Sequence, residues 1–189
     1  MKNCKVRITG TTPYSQSKHY VVQKEKRETS ADYETRTWRE RMHVDENGIV
    51  FVPRMAFKNL LSDAAKYLSM QIPGKGKATY TKHFEAGISV ENDMSLGVKK
   101  DDVVGEWVFV PADGRRGGSK RVSKCFPKFE KWGGIVDFVI LDDAVTKDVF
   151  EYHIKEAGRF IGIGRFRPRN NGYYGRFAAE VIEWEEIER

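Results

Sequence analysis

Five arginines, Arg159, Arg165, Arg167, Arg169 and Arg176, fall within the twenty residues 158–177, GRFIGIGRFRPRNNGYYGRF. Five glycines share the stretch with Phe160, Phe166, Tyr173, Tyr174 and Phe177, and it holds no acidic residue. Guanidinium forks match phosphate oxygens bidentately and stack on bases. Aromatic faces give sequence-tolerant platforms for unpaired bases, and glycine lets backbone approach a ligand closely. The combination predicts contact with an extended, unpaired nucleic-acid strand, the alternative being a solvated basic loop with some aromatics turned into the core.

Other side chains extend or compete with that chemistry. Lys5 and Arg7 would line an open sheet face if Cys4, Val6 and Ile8 face helices, and Arg54 would sit where a helix N-terminus favours phosphate. Arg115, Arg116, Lys120 and Arg121 could clamp a strand from a basic projection. Of the four histidines, His19 and His43 lie in a polar stretch where a histidine beside an RNA phosphate could act as general base or acid. His153 lies on an apolar helical stripe and reads as a core residue, while Asp137, inside IVDFVIL, must be paired or face a groove.

Three familiar motifs fail. Gly162 and Gly164 lack the third glycine of a dinucleotide fingerprint, position 167 being arginine, and they follow a helix rather than a strand. Around Gly74–Lys77, Gln71 and Ala78 stand where a phosphate loop needs Gly and Ser/Thr. No histidine pair has ligand spacing, so neither metal nor cofactor is expected.

The 189 residues suit one domain, 1–189, with insertions at about 11–47 and 70–131. A net charge of +6 favours an acidic partner. The 32% charged fraction and the lack of a long apolar run argue against a membrane span or signal peptide. Cys4 and Cys125 make no disulfide framework, and a reducing, cytoplasmic setting is expected.

These elements must hold the candidate residues. Residues 4–9 alternate as a half-buried strand, and 38–52 reads as two extended runs around the turn Asp45, Glu46, Asn47 and Gly48. Pro53 opens a helix with the stripe Phe57, Leu60, Leu61, Ala64 and Leu68. Residues 70–84 read as a mobile basic loop, and short strands are expected at 87–91 and 106–110. Residues 113–132, with seven basic residues against Asp113 and Glu130, read as a basic loop or long hairpin, and 135–141 as a central strand. Asp142 and Asp143 are expected to cap a second helix with the stripe Val149, His153, Ala157 and Phe160. A last strand at 177–184 and an acidic tail complete an α+β fold, a ferredoxin-like (RRM-like) split βαβ core with long insertions.

The helix segment 53–68, entered through Val52, Pro53 and Arg54, and the glycine-rich loop 158–177 resemble segments of the RAMP superfamily of CRISPR-associated proteins. Single-domain size and long basic insertions look most like the backbone subunit that polymerises along guide RNA. The resemblance implies non-catalytic binding of a guide-like single-stranded RNA, self-association or contact with other effector subunits, and a part in antiviral defence. By the same resemblance Asp32 could be the acid that some backbone subunits use to cleave a target. The alternatives are a metal-independent processing endoribonuclease using His19 or His43, an effector-subunit mimic, and a single-stranded-DNA binder of phage or mobile-element origin.

Overall fold

Cys4, Val6 and Ile8 alternate with Lys5, Arg7 and Thr9, and the fold is built on that period. In the computed structural model, which describes residues 1–112 and 120–187, β1 (Lys2–Gly10) buries the first set almost completely and turns the second outward. β1 lies inside a four-stranded antiparallel sheet with β4 (Ile88–Val90), β8 (Gly133–Ile140) and β9 (Phe177–Glu186), in the order β4-β8-β1-β9. The apolar run 135–141 thus becomes an interior strand, as its continuous hydrophobicity requires. Asp137 takes the outward side, opposite Lys5 in register. Arg115 and Arg116 lie outside the described residues.

Helices α2 (Arg54–Leu68) and α4 (Lys147–Glu156) sit on the buried face. α2 starts after Pro53, and its first N–H is taken by the Asp93 carboxylate at 2.7 Å. Phe57, Leu60, Leu61 and Ala64 are buried as their spacing predicts. α4 departs from expectation at both ends. Thr146, not Asp142 or Asp143, caps it, because the Asp142 carboxylate already accepts from the Ala144 N–H at 2.9 Å and meets His83 at 2.6 Å. At its C-terminus the chain widens into a π-turn, Ala157–Ile161, with Gly162 N–H donating to the Ala157 carbonyl at 2.9 Å. That extra residue rotates the stripe, so Ile161 is buried and Phe160 is exposed.

His153 is a core residue. Its ring stacks on Phe84 with centroids 4.1 Å apart, Nδ1–H donates to the Val149 carbonyl at 2.7 Å, and Nε2 is buried with no hydrogen-bond partner among the described residues. Burial pushes its pKa below the ordinary histidine value, although the bond to Val149 pulls the other way. A depressed folded pKa means that the stability from the neutral ring is complete above about pH 6.5 and is lost as pH falls below it. His153→Phe is therefore expected to flatten the decline of Tm between about pH 7 and 5.

Other described elements include α1 (Ser30–Thr37), α3 (Thr81–Ala86) and two smaller sheets. One sheet joins β3 (Ile49–Val52) to β5 (Met94–Lys99), and the other has the order β2-β7-β6, from β2 (Tyr14–Ser15), β6 (Val104–Pro111) and β7 (Arg121–Phe129). The Asp45–Gly48 turn is present, with Asp45 Oδ1 accepting from the N–H groups of Asn47 and Ile49. Its first arm begins instead as a 3₁₀ turn, Trp38–Arg41. The 70–84 stretch is organised by a Gln71–Thr79 bridge and runs into α3. β4 lies within the 70–131 segment yet belongs to the main sheet, so that segment is not a single insertion. Both cysteines are free and buried, and burial pushes the Cys125 thiol up to about 11. No described helix is long and apolar enough to cross a membrane.

Candidate nucleic-acid interface

The arginine- and glycine-rich loop is tied to the body rather than hanging from it. Arg165 N–H donates to Ser15 O at 2.8 Å, Gly175 N–H to Pro13 O at 2.7 Å, and Thr11 N–H to Arg176 O at 2.8 Å. Inside the loop, Ile163 N–H reaches Gly175 O at 3.0 Å and Tyr174 N–H reaches Phe166 O at 3.0 Å. Gly164 and Gly175 both have positive φ, and a Cβ on either would run into neighbouring backbone. These glycines allow close backbone packing within the protein, which accounts for them without a ligand.

Tethering the loop sets its side chains against the β6–β7 ribbon. Between the two lies an open cleft of about 530 Å³ with Val108, Val110, Pro111 and Phe126 on its apolar side. Glu106, Arg165, Phe166 and Tyr174 supply the facing chemistry. The Arg165 guanidinium carbon lies 3.9 Å from the Phe126 ring centroid, and burial pulls its pKa below the ordinary arginine value. The Tyr174 hydroxyl donates to Glu106 Oε1 at 2.6 Å, and burial followed by that bond holds the phenol above its usual range. Phe166 and Tyr173 are more than half exposed at the rim, each edge-on to Tyr174. Arg121 pairs in register with Pro111 at the end of the ribbon and alternates with Val122, Lys124 and Phe126, so it lies on the face away from the cleft, and neighbouring Lys120 is exposed.

The other expected contact residues go elsewhere. Lys5 and Arg7 do face outward on the main sheet, but β9 answers them with Glu183 at 2.7 Å and Glu180 at 2.6 Å. Asp137, Glu91 and Glu185 border a hollow on the same face, so its charge is mixed to acidic and opposes a phosphate chain. Arg54 is exposed on the first turn of α2, where Asp93 already occupies the backbone N–H that a phosphate would take. Arg159 pairs with Glu156 at 2.8 Å and Arg167 reaches Asp63 at 3.5 Å, while Arg169 is exposed in a 3₁₀ turn. No protein-family model matches the chain, and no curated protein matches it.

The catalytic candidates are dispersed. His19 is exposed, and His43 is half-buried beside Phe51 with its pKa lowered by burial and by Lys18. Asp32 works as a capping residue: its carboxylate accepts from the Thr29 hydroxyl at 2.6 Å, and its N–H donates back at 3.1 Å. A better-oriented histidine was not signalled by spacing. His83 Nδ1 lies 2.6 Å from Asp142 Oδ2, both partly exposed, although the two are 59 positions apart in sequence. Burial would raise the Asp142 pKa, but bonds from the Ala144 N–H and His83 hold it below the usual carboxylate range. Among the described residues no group of three or more His, Cys, Asp or Glu is placed to hold a metal.

Proposed function

We propose that this protein binds single-stranded RNA without cleaving it, gripping the strand along the groove between the β6–β7 ribbon and the arginine-rich loop. The observation that carries the reading is the Arg165–Phe126 stack beside the exposed rings of Phe166 and Tyr173, a pairing of cation and aromatic faces that suits unpaired bases. Lys120, exposed beside the end of the ribbon, would neutralise a phosphate there. The β4-β8-β1-β9 order, with α2 and α4 on one face, supports a ferredoxin-like, RRM-like core. With the resemblance of 53–68 and 158–177 to the RAMP backbone subunits, it supports a place in a guide-RNA assembly, with self-association along the strand. Single-stranded DNA is the competing ligand, since stacking and phosphate contacts do not read a 2′-hydroxyl.

The protein is tested as purified, by digesting co-purifying nucleic acid with RNase or DNase and then by titrating labelled single strands at several salt concentrations. RNase-sensitive material and an affinity that falls with salt, by about 0.7 in log–log slope per phosphate contacted, are expected. Failure to bind any single strand at low salt would sink the reading. Phe166→Ala is expected to weaken binding about tenfold, since a stacked base is worth about 1–3 kcal/mol.

A metal-independent endoribonuclease is the second reading, and the 2.6 Å His83–Asp142 pair now favours His83 over His19 or His43 as its base. On the non-catalytic reading, labelled hairpin RNA in EDTA stays intact with wild-type protein. Cleavage that disappears in His83→Ala would reverse the order of the two readings.

A further inference from the structure

Glu106 and Arg165 form a specific hydrogen-bonding edge on the cleft. Glu106 Oε1 accepts from Tyr174, but Oε2 lies 3.7 Å from Arg165 Nη2, too far for a hydrogen bond. Lys128 Nζ also lies 3.7 Å from Oε1, beyond hydrogen-bond reach, so of the carboxylate's about four acceptor sites some remain for a donor from the cleft. The adjoining wall therefore reads donor, acceptor, acceptor, from Arg165 to the two Glu106 oxygens. Phe166 stands over the same cleft with a positive φ of 58°, a conformation that a bulky residue seldom takes. Its carbonyl is fixed by Tyr174 N–H, and a Cβ on Gly172 would collide with it. Backbone strain of this kind persists where surroundings over-determine it, and here it holds an exposed aromatic ring at a cleft mouth.

We propose that the cleft is a subsite for one unpaired guanine of the bound strand, stacked on Phe166 with its Watson–Crick edge on Arg165 and Glu106. Guanine presents the complementary order: O6 accepts from Arg165, and N1–H and the N2 amine donate to the Glu106 carboxylate. Adenine and cytosine each set a ring-nitrogen acceptor beside a single amine, and uracil flanks its one N–H with two carbonyls. Uracil therefore turns a carbonyl toward a carboxylate, which has no proton to give, and adenine and cytosine, even with the ring nitrogen on Arg165, offer the carboxylate one amine where guanine offers two donors. The inference rests on the single-strand reading above and adds a base preference to it.

The test uses RNA nonamers of uridine with a single central G, A, C, U or inosine, titrated against the whole protein. The G nonamer is expected to bind about tenfold tighter than the A, C and U versions, as a bidentate base contact discriminates. Inosine, lacking the N2 amine, should fall between. Glu106→Gln, whose amide oxygen can still accept from Tyr174, should remove the preference for G over A, C and U. Equal binding of all five nonamers by wild-type protein overturns the guanine subsite and leaves single-strand binding standing. Absence of binding to every nonamer overturns both. The inosine comparison needs no variant, so it decides the matter even if Glu106→Gln is unstable.

Discussion

Glu34→Ala is expected to destabilise the protein by about 3–5 kcal/mol, the range for removing one partner of a buried ion pair. The Glu34 side chain is 1% exposed, and both oxygens are engaged. Oε1 accepts from the Cys125 N–H at 2.8 Å and meets Arg41 at 2.8 Å, while Oε2 meets Lys124 at 3.0 Å. Burial alone would raise this carboxyl, yet these partners hold it below the usual carboxylate range. Truncation would leave the Arg41 guanidinium buried with its Cys125 carbonyl bond at 3.1 Å but without a counter-charge, and would strip a partner from the β7 backbone. Because Arg41 also lies over Phe126 at 5.0 Å, the effect should reach the cleft. Chemical denaturation measures the loss. A change below about 1 kcal/mol would mean that this buried pair contributes no more than a surface one.

The anchoring role of Glu34 was illegible because nothing local marks it. α1 buries only Glu34 and Thr37 among its eight residues, so it carries no apolar period. The one signal it did carry was the Thr29/Asp32 spacing of a capping box, and that same spacing explains why Asp32 is occupied. By contrast, β1 and α2 were readable because their apolar residues recur at periods of two and 3.6 and burial followed those patterns, and β8 because of its nearly continuous apolar run, although only Val136, Phe138 and Ile140 of it are buried. The phase error in α4 has a single cause, the π-turn at Ala157–Ile161, which no propensity announces.

The candidate site divides along the same line. The cation–aromatic character of 158–177 was legible from composition, and Arg165 and Tyr174 do meet in a cleft. Their partners Phe126 and Glu106 come from a ribbon some 40–70 residues earlier in the chain, and only pairing in three dimensions brings them there. The basic face of β1 was also legible, but the carboxylates that neutralise it belong to β9, at the opposite end of the sequence. A charge read on one strand says little until its cross-strand neighbour is known.

Gly175→Ala separates the two explanations for the glycines. At φ +79° an alanine pays for the left-handed conformation, and its Cβ would overlap the Ile163 carbonyl. That neighbour is backbone, so no rotamer change relieves it, and a loss of about 2–4 kcal/mol is expected. The strain falls on the junction where Gly175 N–H meets Pro13 O and Gly175 O receives Ile163 N–H. Hydrogen exchange should therefore accelerate at Ile163 and Arg165, whose amides the junction protects. If the loop's glycines serve this packing, RNA affinity should fall with the loosening, because Tyr174 and Arg165 lose their places opposite Phe126. If they serve close approach of the ligand instead, affinity should fall while stability and exchange stay at wild-type values. The positive φ and the overlap with backbone predict the first outcome.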